Sequence, residues 1–215
     1  MEWNAVLEAV SAMGWIEALA VLLALAYVLL AAAESIWCWP AAFVSTSLYL
    51  YLCLAANLWA ESGLQLFYIV MAVVGWVQWR RRGHRRRQAV PESGHPLSEG
   101  EQRPIVQWPL RWHLLIVLAN TALTLLIGWL LARYTPAANP YLDSFTTVFS
   151  LVTTWMVTQK VLENWLYWIV IDAASIFLYA SREFTLTPYL FGLYTLIALA
   201  GYLRWRKQYL SHPLA

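Results

Sequence analysis

The sequence predicts an all-α membrane protein of seven transmembrane helices, arranged as two parallel three-helix repeats joined by a single linker helix. Three observations carry that prediction. Hydrophobic residues make up 61% of the 215 residues and charged ones only 12%, against roughly 45–50% and about 25% in ordinary soluble domains. Seven segments meet or approach the ~20 apolar residues that a membrane crossing needs. Two stretches also share a plan: Glu34-Ser35-Ile36-Trp37-Cys38-Trp39 is echoed by Glu163-Asn164-Trp165-Leu166-Tyr167-Trp168, and Gly75-Trp76-Val77-Gln78-Trp79 by Gly201-Tyr202-Leu203-Arg204-Trp205. Pairing Glu34 with Glu163 sets the copies 129 positions apart, and pairing Gly75 with Gly201 sets them 126 apart. The expectation is a three-residue length change in a loop between those points.

The spans are expected near 16–33, 36–57, 64–79, 114–132, 141–159, 164–180 and 188–205. Each must be helical, since an unpaired backbone amide in hydrocarbon costs several kcal/mol. Together they leave no room for a separate soluble domain. Glu2, Glu8 and Glu17 give the first span no basic region before it, unlike a secretory signal peptide, so it is expected to stay. The second span holds Pro40, which either kinks it or reflects the ordinary frequency of Pro in membrane helices. Its Cys38 and Cys53 lie about 22 Å apart at 1.5 Å rise per residue, too far for one disulfide. After the third span, the stretch from Arg80 to Arg111 carries Pro91, Gly94, Pro96, Gly100 and Pro104 and reads as a largely irregular linker. The lone fourth span restores the direction that an odd number of crossings inverts. It therefore makes the repeats parallel, with a pseudo-symmetry axis along the membrane normal. The expected units are 1–87, 88–135 and 136–215. Arg80, Arg81, Arg82, Arg85, Arg86 and Arg87, together with Lys160, Arg204, Arg206 and Lys207, fall on one side of this scheme. The positive-inside rule then places the C-terminus inside and the N-terminus outside. Such a basic run beside a span is a topology determinant, so no nucleic-acid partner is expected.

Asp172 is the sharpest chemical signal. Nine residues beyond Glu163, it lies about 13 Å into the bilayer, near the middle of a ~30 Å core. An ionisable group there costs some 2.5–3.5 kcal/mol on insertion scales, and it marks a site or pathway unless it merely bonds a neighbouring helix. Its counterpart by the 129-residue offset is Phe43, so the charge belongs to one half only and suits a cationic ligand. Trp168, Asp172, Ser175 and Tyr179 share one helical face, Asp143, Thr147, Ser150 and Thr154 another, and Gln65, Tyr68 and Ala72 a third. Each Ser or Thr taken singly is explained by interhelical bonding; three polar stripes together need a shared interior. Among the tryptophans, Trp37, Trp39, Trp76, Trp79, Trp165, Trp168 and Trp205 sit near inner span ends, and most are expected to form an interfacial belt. Trp168 is the exception, facing the way Asp172 does and able to stack on a flat cation. His84, His95 and His212 lie in loops and His113 at the mouth of the fourth span, none placed for a midplane proton relay. No HExxH, GxSxG, Walker or CxxC pattern occurs, so no catalytic residue, metal or cofactor is expected.

The run Glu163-Asn164-Trp165-Leu166-Tyr167-Trp168-Ile169, the segment Leu64-Gln65-Leu66-Phe67 leading into Gly75-Trp76-Val77-Gln78-Trp79, and Tyr141-Leu142-Asp143-Ser144 resemble the PnuC family of nicotinamide riboside transporters. The resemblance covers nearly the whole chain. It implies a homotrimer in the bacterial inner membrane, a protomer related in fold to SWEET-type sugar transporters, and facilitated diffusion with net uptake driven by phosphorylation of the vitamin inside the cell. The family's substrate contacts carry over by position to Gln65, Tyr68, Trp168 and Asp172. Some members have Asn at the position of Asp172, so the pocket implied here is more anionic. With the polar stripes added, the candidate substrate-binding set is Asp172, Trp168, Gln65, Tyr68, Asp143, Tyr179, Ser175, Thr154 and Asn164.

The expected function is passage of nicotinamide riboside by alternating access, one three-helix bundle rocking against the other around a central site. Expected partners are the small-molecule vitamin, the lipid bilayer and further copies of the chain. Thiamine, a flat aromatic cation carried by relatives of the family, is the alternative substrate. Proton coupling through Asp172 is the alternative mechanism. From other classes, a membrane scaffold predicts no pocket at the level of Asp172. An intramembrane enzyme predicts a nucleophile with a base in reach, and the sequence offers none.

Overall fold

The structure is a computed structural model that describes residues 14–56, 59–88, 104–181 and 186–211, with backbone alone for 59–60 and 81–88. Among the described residues the regular elements are seven helices: α1 (Trp15–Ala32), α2 (Cys38–Ala55), α3 (Trp59–Gln88), α4 (Leu110–Tyr134), α5 (Pro140–Thr158), α6 (Asn164–Ala180) and α7 (Thr187–Ser211). The helices α1, α2 and α4 and the Glu61–Arg80 part of α3 are long and apolar enough to cross a membrane, and α6 is apolar but shorter.

The composition of α5 follows from its place. Ser144, Ser150, Thr153, Thr154 and Thr158 are all buried, so the helix needs no aliphatic coat on that side. Its hydroxyls are satisfied by its own backbone: Ser144, Thr153 and Thr154 donate to the carbonyls of Pro140, Phe149 and Ser150 at 2.7–2.8 Å. That is the back-bonding which lets small polar residues sit inside a helix.

Sequential helices pack as neighbours from α1 to α3 and from α5 to α7; α3 also packs on α5 and α7 on α1. Among the described residues, α4 packs along its length on α5, and at its start His113 reaches α6, its Nδ1 3.0 Å from the Tyr167 hydroxyl. Short connections reverse the chain, so loops 33–37 and 159–163 and the C-terminal turns of α3 and α7 meet at one end. Arg80, Arg204, Arg206 and Lys207 mark it, and we call it the basic end.

The tryptophans expected as a belt are core residues there. Trp39, Trp79, Trp165 and Trp205 are at most 2% exposed. Trp39 meets Trp79 edge to face with centroids 5.3 Å apart at 89°, and Trp165 meets Trp205 at 5.4 Å and 88°; Trp79 and Trp205 join the two pairs. A Cβ at Gly75 would fall inside the Trp39 ring, and one at Gly201 would crowd the Trp165 ring. Only glycine lets each indole lie against the helix backbone. By contrast Trp37 is 65% exposed, as an interfacial anchor should be.

These contacts correct the repeat register. Trp39 and Trp165, Gly75 and Gly201, and Trp79 and Trp205 are each 126 positions apart. The same spacing relates Glu34 and Lys160, the two non-glycine residues with left-handed backbone among those described, at φ 56° and 53°. No three-residue length change is needed. The shared Glu and Trp letters behind the 129-residue offset pair a loop position with a helix cap. The structural counterpart of Asp172 is therefore Thr46, not Phe43, which is 43% exposed on the outer surface.

Two further expectations change. Pro40 lies in the first turn of α2, where its missing N–H has no intrahelical partner to lose, so it starts the helix without kinking it. The helix α3 continues through the arginine run to Gln88, because arginine ends an apolar span without disfavouring helix. The irregular linker is thus shorter than Arg80 to Arg111. Its last part docks: the Val106 amide donates to the Lys160 carbonyl at 3.0 Å, and the Leu162 amide to the Val106 carbonyl at 2.8 Å. Of the loop histidines, His84, His95 and His212 lie outside the described side chains, as do Glu2 and Glu8 at the N-terminus.

Candidate functional site

A cavity of about 310 Å³ opens between the helices just beyond the tryptophan layer, at the small end of the ~300–1,000 Å³ usual for ligand pockets. Five of the nine sequence candidates line it: Gln65 and Tyr68 from α3, Thr154 from α5, and Trp168 and Asp172 from α6. The i, i+4 spacing of Trp168 and Asp172 brings the indole and the carboxyl to one wall. Asp172 is the one charged residue on that wall. It is 4% exposed and has no hydrogen-bond or ion-pair partner among the described residues. A buried carboxylate with nothing to balance it is costly unless a ligand completes it.

The other four candidates stand off the wall. Asn164 is fully buried at the first residue of α6, where its side-chain amide donates to the Val161 carbonyl at 2.6 Å. Ser175 donates to the Ile171 carbonyl at 2.9 Å within α6. Asp143 lies in the first turn of α5, at the end opposite the basic one. Tyr179 stacks on Phe191 with centroids 5.3 Å apart at 10°, and Phe191 does line the cavity. Helical periodicity put Asp143, Ser175 and Tyr179 on stripes with wall residues but not at the depth of the cavity, and Asn164 belongs to the Glu-Asn-Trp motif and not to a stripe.

Sequence reasoning missed much of the opposite wall, including Tyr27, Thr46, Tyr49, Phe191 and Tyr194. The signal that finds most of them is the 126-residue spacing. Applied to Gln65, Tyr68 and Asp172 it gives Phe191, Tyr194 and Thr46, all on the wall; applied to Trp168 and Thr154 it gives Ala42 and Val28, also on the wall. Equivalent positions thus line one cavity, and four of these five pairs differ in chemistry, Tyr68 and Tyr194 being alike. One side offers Asp, Gln, Thr and Trp and the other Thr, Phe, Val and Ala. A symmetric frame with unlike walls can hold an unsymmetrical ligand in one orientation.

The basic end of the cavity is floored by Trp39 and Trp165. Beneath them the Lys160 ammonium lies 2.8 Å from a Glu34 carboxylate oxygen and 4.4 Å from the centre of the Trp79 ring. Among the described residues no group of three or more His, Cys, Asp or Glu could hold a metal ion.

Residues 14–207 match the family model for the nicotinamide mononucleotide transporter. The nicotinamide riboside transporter PnuC of Escherichia coli (strain K12) is 24% identical over 213 residues, covering 90% of this chain and 85% of that protein. The PnuC of Neisseria mucosa is 30% identical over 177 residues, covering 79% of this chain and 63% of its own. The riboflavin/roseoflavin transporter RibM of Streptomyces davaonensis is 21% identical over 174 residues, covering 80% and 75%. A crystal structure of the vitamin B3 transporter PnuC superposes with a TM-score of 0.72 at 24% identity, covering 97% of this chain and 87% of that one. The relatives are named as transporters and not as enzymes, in keeping with a membrane chain whose polar groups surround a cavity. The chain belongs to the nicotinamide mononucleotide transporter family.

Proposed function

We propose that this protein carries a cationic vitamin, nicotinamide riboside, across the bacterial inner membrane by facilitated diffusion with alternating access. The observation that carries the reading is the Asp172 carboxyl, with no partner among the described residues, beside Trp168 on the cavity wall. In this reading the carboxylate balances the pyridinium charge and the indole stacks on its ring, a contact worth up to about 2 kcal/mol once desolvated. Gln65 bonds the carboxamide or ribose, and Tyr68 packs on the sugar side. Riboflavin lacks the positive charge, so Asp172 favours the nicotinamide nucleoside over the flavin that RibM is named for. Thiamine keeps both the charge and the flat ring and is the competing substrate.

The proposed architecture is seven membrane crossings in two units, 1–87 and 136–215, with 88–135 as the connector. Support comes from the matched contacts at 126-residue spacing and from α4 packing along its length on α5, outside the two sets of three sequential helices. The basic end faces the cytoplasm, with the N-terminus outside. The units rock about the central site. The family resemblance supplies the homotrimer and the SWEET-type relation. Purified protein titrated with nicotinamide riboside, thiamine and riboflavin tests the reading. Micromolar binding of the first, at least tenfold weaker binding of the others, and loss of preference in Asp172→Asn support it; equal or absent binding of nicotinamide riboside refutes it.

A further inference from the structure

Glu34 and Lys160 occupy equivalent positions of the two halves, 126 residues apart, and each turns its loop with a left-handed backbone. Their side chains meet across the centre of the molecule at 2.8 Å, with Lys160 fully buried and Glu34 nearly so. The pair lies under the tryptophan floor, between the cavity and the basic end. We infer that Glu34 and Lys160 form a latch that holds the basic end of the carrier closed and parts when that end opens to release or admit substrate. The inference rests on the transporter reading and names the part that gates it.

Three observations support it. A buried ion pair is a weak stabiliser, because desolvation cancels most of its attraction, but it is a strong register device whose partners regain hydration when they separate. The two charges sit on loops of different halves, so a rocking motion separates them first. The floor itself is under-satisfied: Trp205 donates to the Ala31 carbonyl at 3.2 Å, whereas the buried indole N–H groups of Trp39, Trp79 and Trp165 and one oxygen of Glu34 have no partner among the described residues. Unpaired buried donors cost free energy that opening to water returns. The closed floor is therefore poised and not locked.

Cys38 begins α2 four residues beyond Glu34 and is fully buried, which makes its thiol a reporter. In the full chain with Cys53→Ser, maleimide labelling of Cys38 is measured in substrate-free protein. Glu34→Gln and Lys160→Met are each expected to speed labelling about tenfold or more. The swap Glu34→Lys with Lys160→Glu is expected to return the rate to within about twofold of the parent, because Trp205 stands where Trp79 stands in the other half. Parent-like labelling in the single variants, or labelling of the swap as fast as theirs, overturns the latch. If the single variants aggregate, a swap that elutes as a single species with parent-like labelling supports it, and a swap that aggregates as well overturns it. Nicotinamide riboside binding on the same samples separates the two claims: no binding with the expected labelling pattern sinks the substrate and leaves the latch, and binding without that pattern does the reverse.

Discussion

At the residue scale, Asp172 and Asn164 are both polar and buried on α6, about two turns apart, and their surroundings differ. Asp172 faces the cavity with no hydrogen-bond or ion-pair partner among the described residues, and in the proposed reading its carboxylate is the group a cationic ligand meets. Asp172→Asn is expected to weaken nicotinamide riboside binding at least tenfold, about 1.4 kcal/mol, while leaving a neutral dihydropyridine analogue within about threefold; titration calorimetry of both ligands checks it. Asn164 instead ties the turn before α6 to Val161. Asn164→Ala is expected to cost about 1–3 kcal/mol, the penalty of an unmade buried bond, seen as a lower melting temperature with vitamin affinity unchanged in the folded fraction. The glycines divide the same way. Ala at Gly75 or Gly201 must displace an indole, an overpacking of typically 1–3 kcal/mol. Ala at Gly192 meets open space and gains helix propensity of up to about 1 kcal/mol. Thermal unfolding should therefore rank Gly192→Ala at or above the parent and the other two below it.

At the element scale, the contrast is between helices that face lipid and helices that face protein. The helix α4 exposes most of its leucines and meets α5 along Asn120, Thr124 and Gly128, where a Cβ on Gly128 would run into the Tyr141 ring. Reversed in character, α5 is rich in hydroxyls because its neighbours cover it. The docked end of the linker is a small element with a checkable role, since Val106 exchanges two backbone bonds with the loop that carries Lys160. Val106→Pro removes the donor of one bond and is expected to lower the melting temperature by a few degrees, whereas Val106→Ala, which keeps both bonds, is not.

At the scale of the whole molecule, helices with contacts matched at 126-residue spacing surround a chamber whose walls differ. The proposal of facilitated diffusion makes a direct statement about liposomes. Uptake of labelled nicotinamide riboside should stop when the inner and outer concentrations are equal, and an imposed pH gradient should not change that plateau. Accumulation above the outer concentration in an acid-outside gradient would instead favour proton coupling through Asp172. Counterflow driven by unlabelled vitamin inside should speed the early phase without changing the end point.

The amino-acid sequence alone determined the membrane class, the helices and their order, because the length and polarity of a span follow from the bilayer itself. It also determined Asp172 and the aromatic neighbour one helical turn away, since local geometry fixes their common face. It left the tryptophans undecided, because an indole at a span end is equally suited to the headgroup region and to a packed floor. Only the meeting of α2 with α3 and of α6 with α7 assigned Trp39, Trp79, Trp165 and Trp205 to the interior. The repeat register was undecided for the same reason. Identical letters paired Glu34 with Glu163, while the backbone turn and the glycine seats pair Glu34 with Lys160, and those are properties of contact that no single stretch of chain contains. Depth along a helix, which separated Trp168 and Asp172 from Ser175 and Tyr179, likewise depends on what packs opposite.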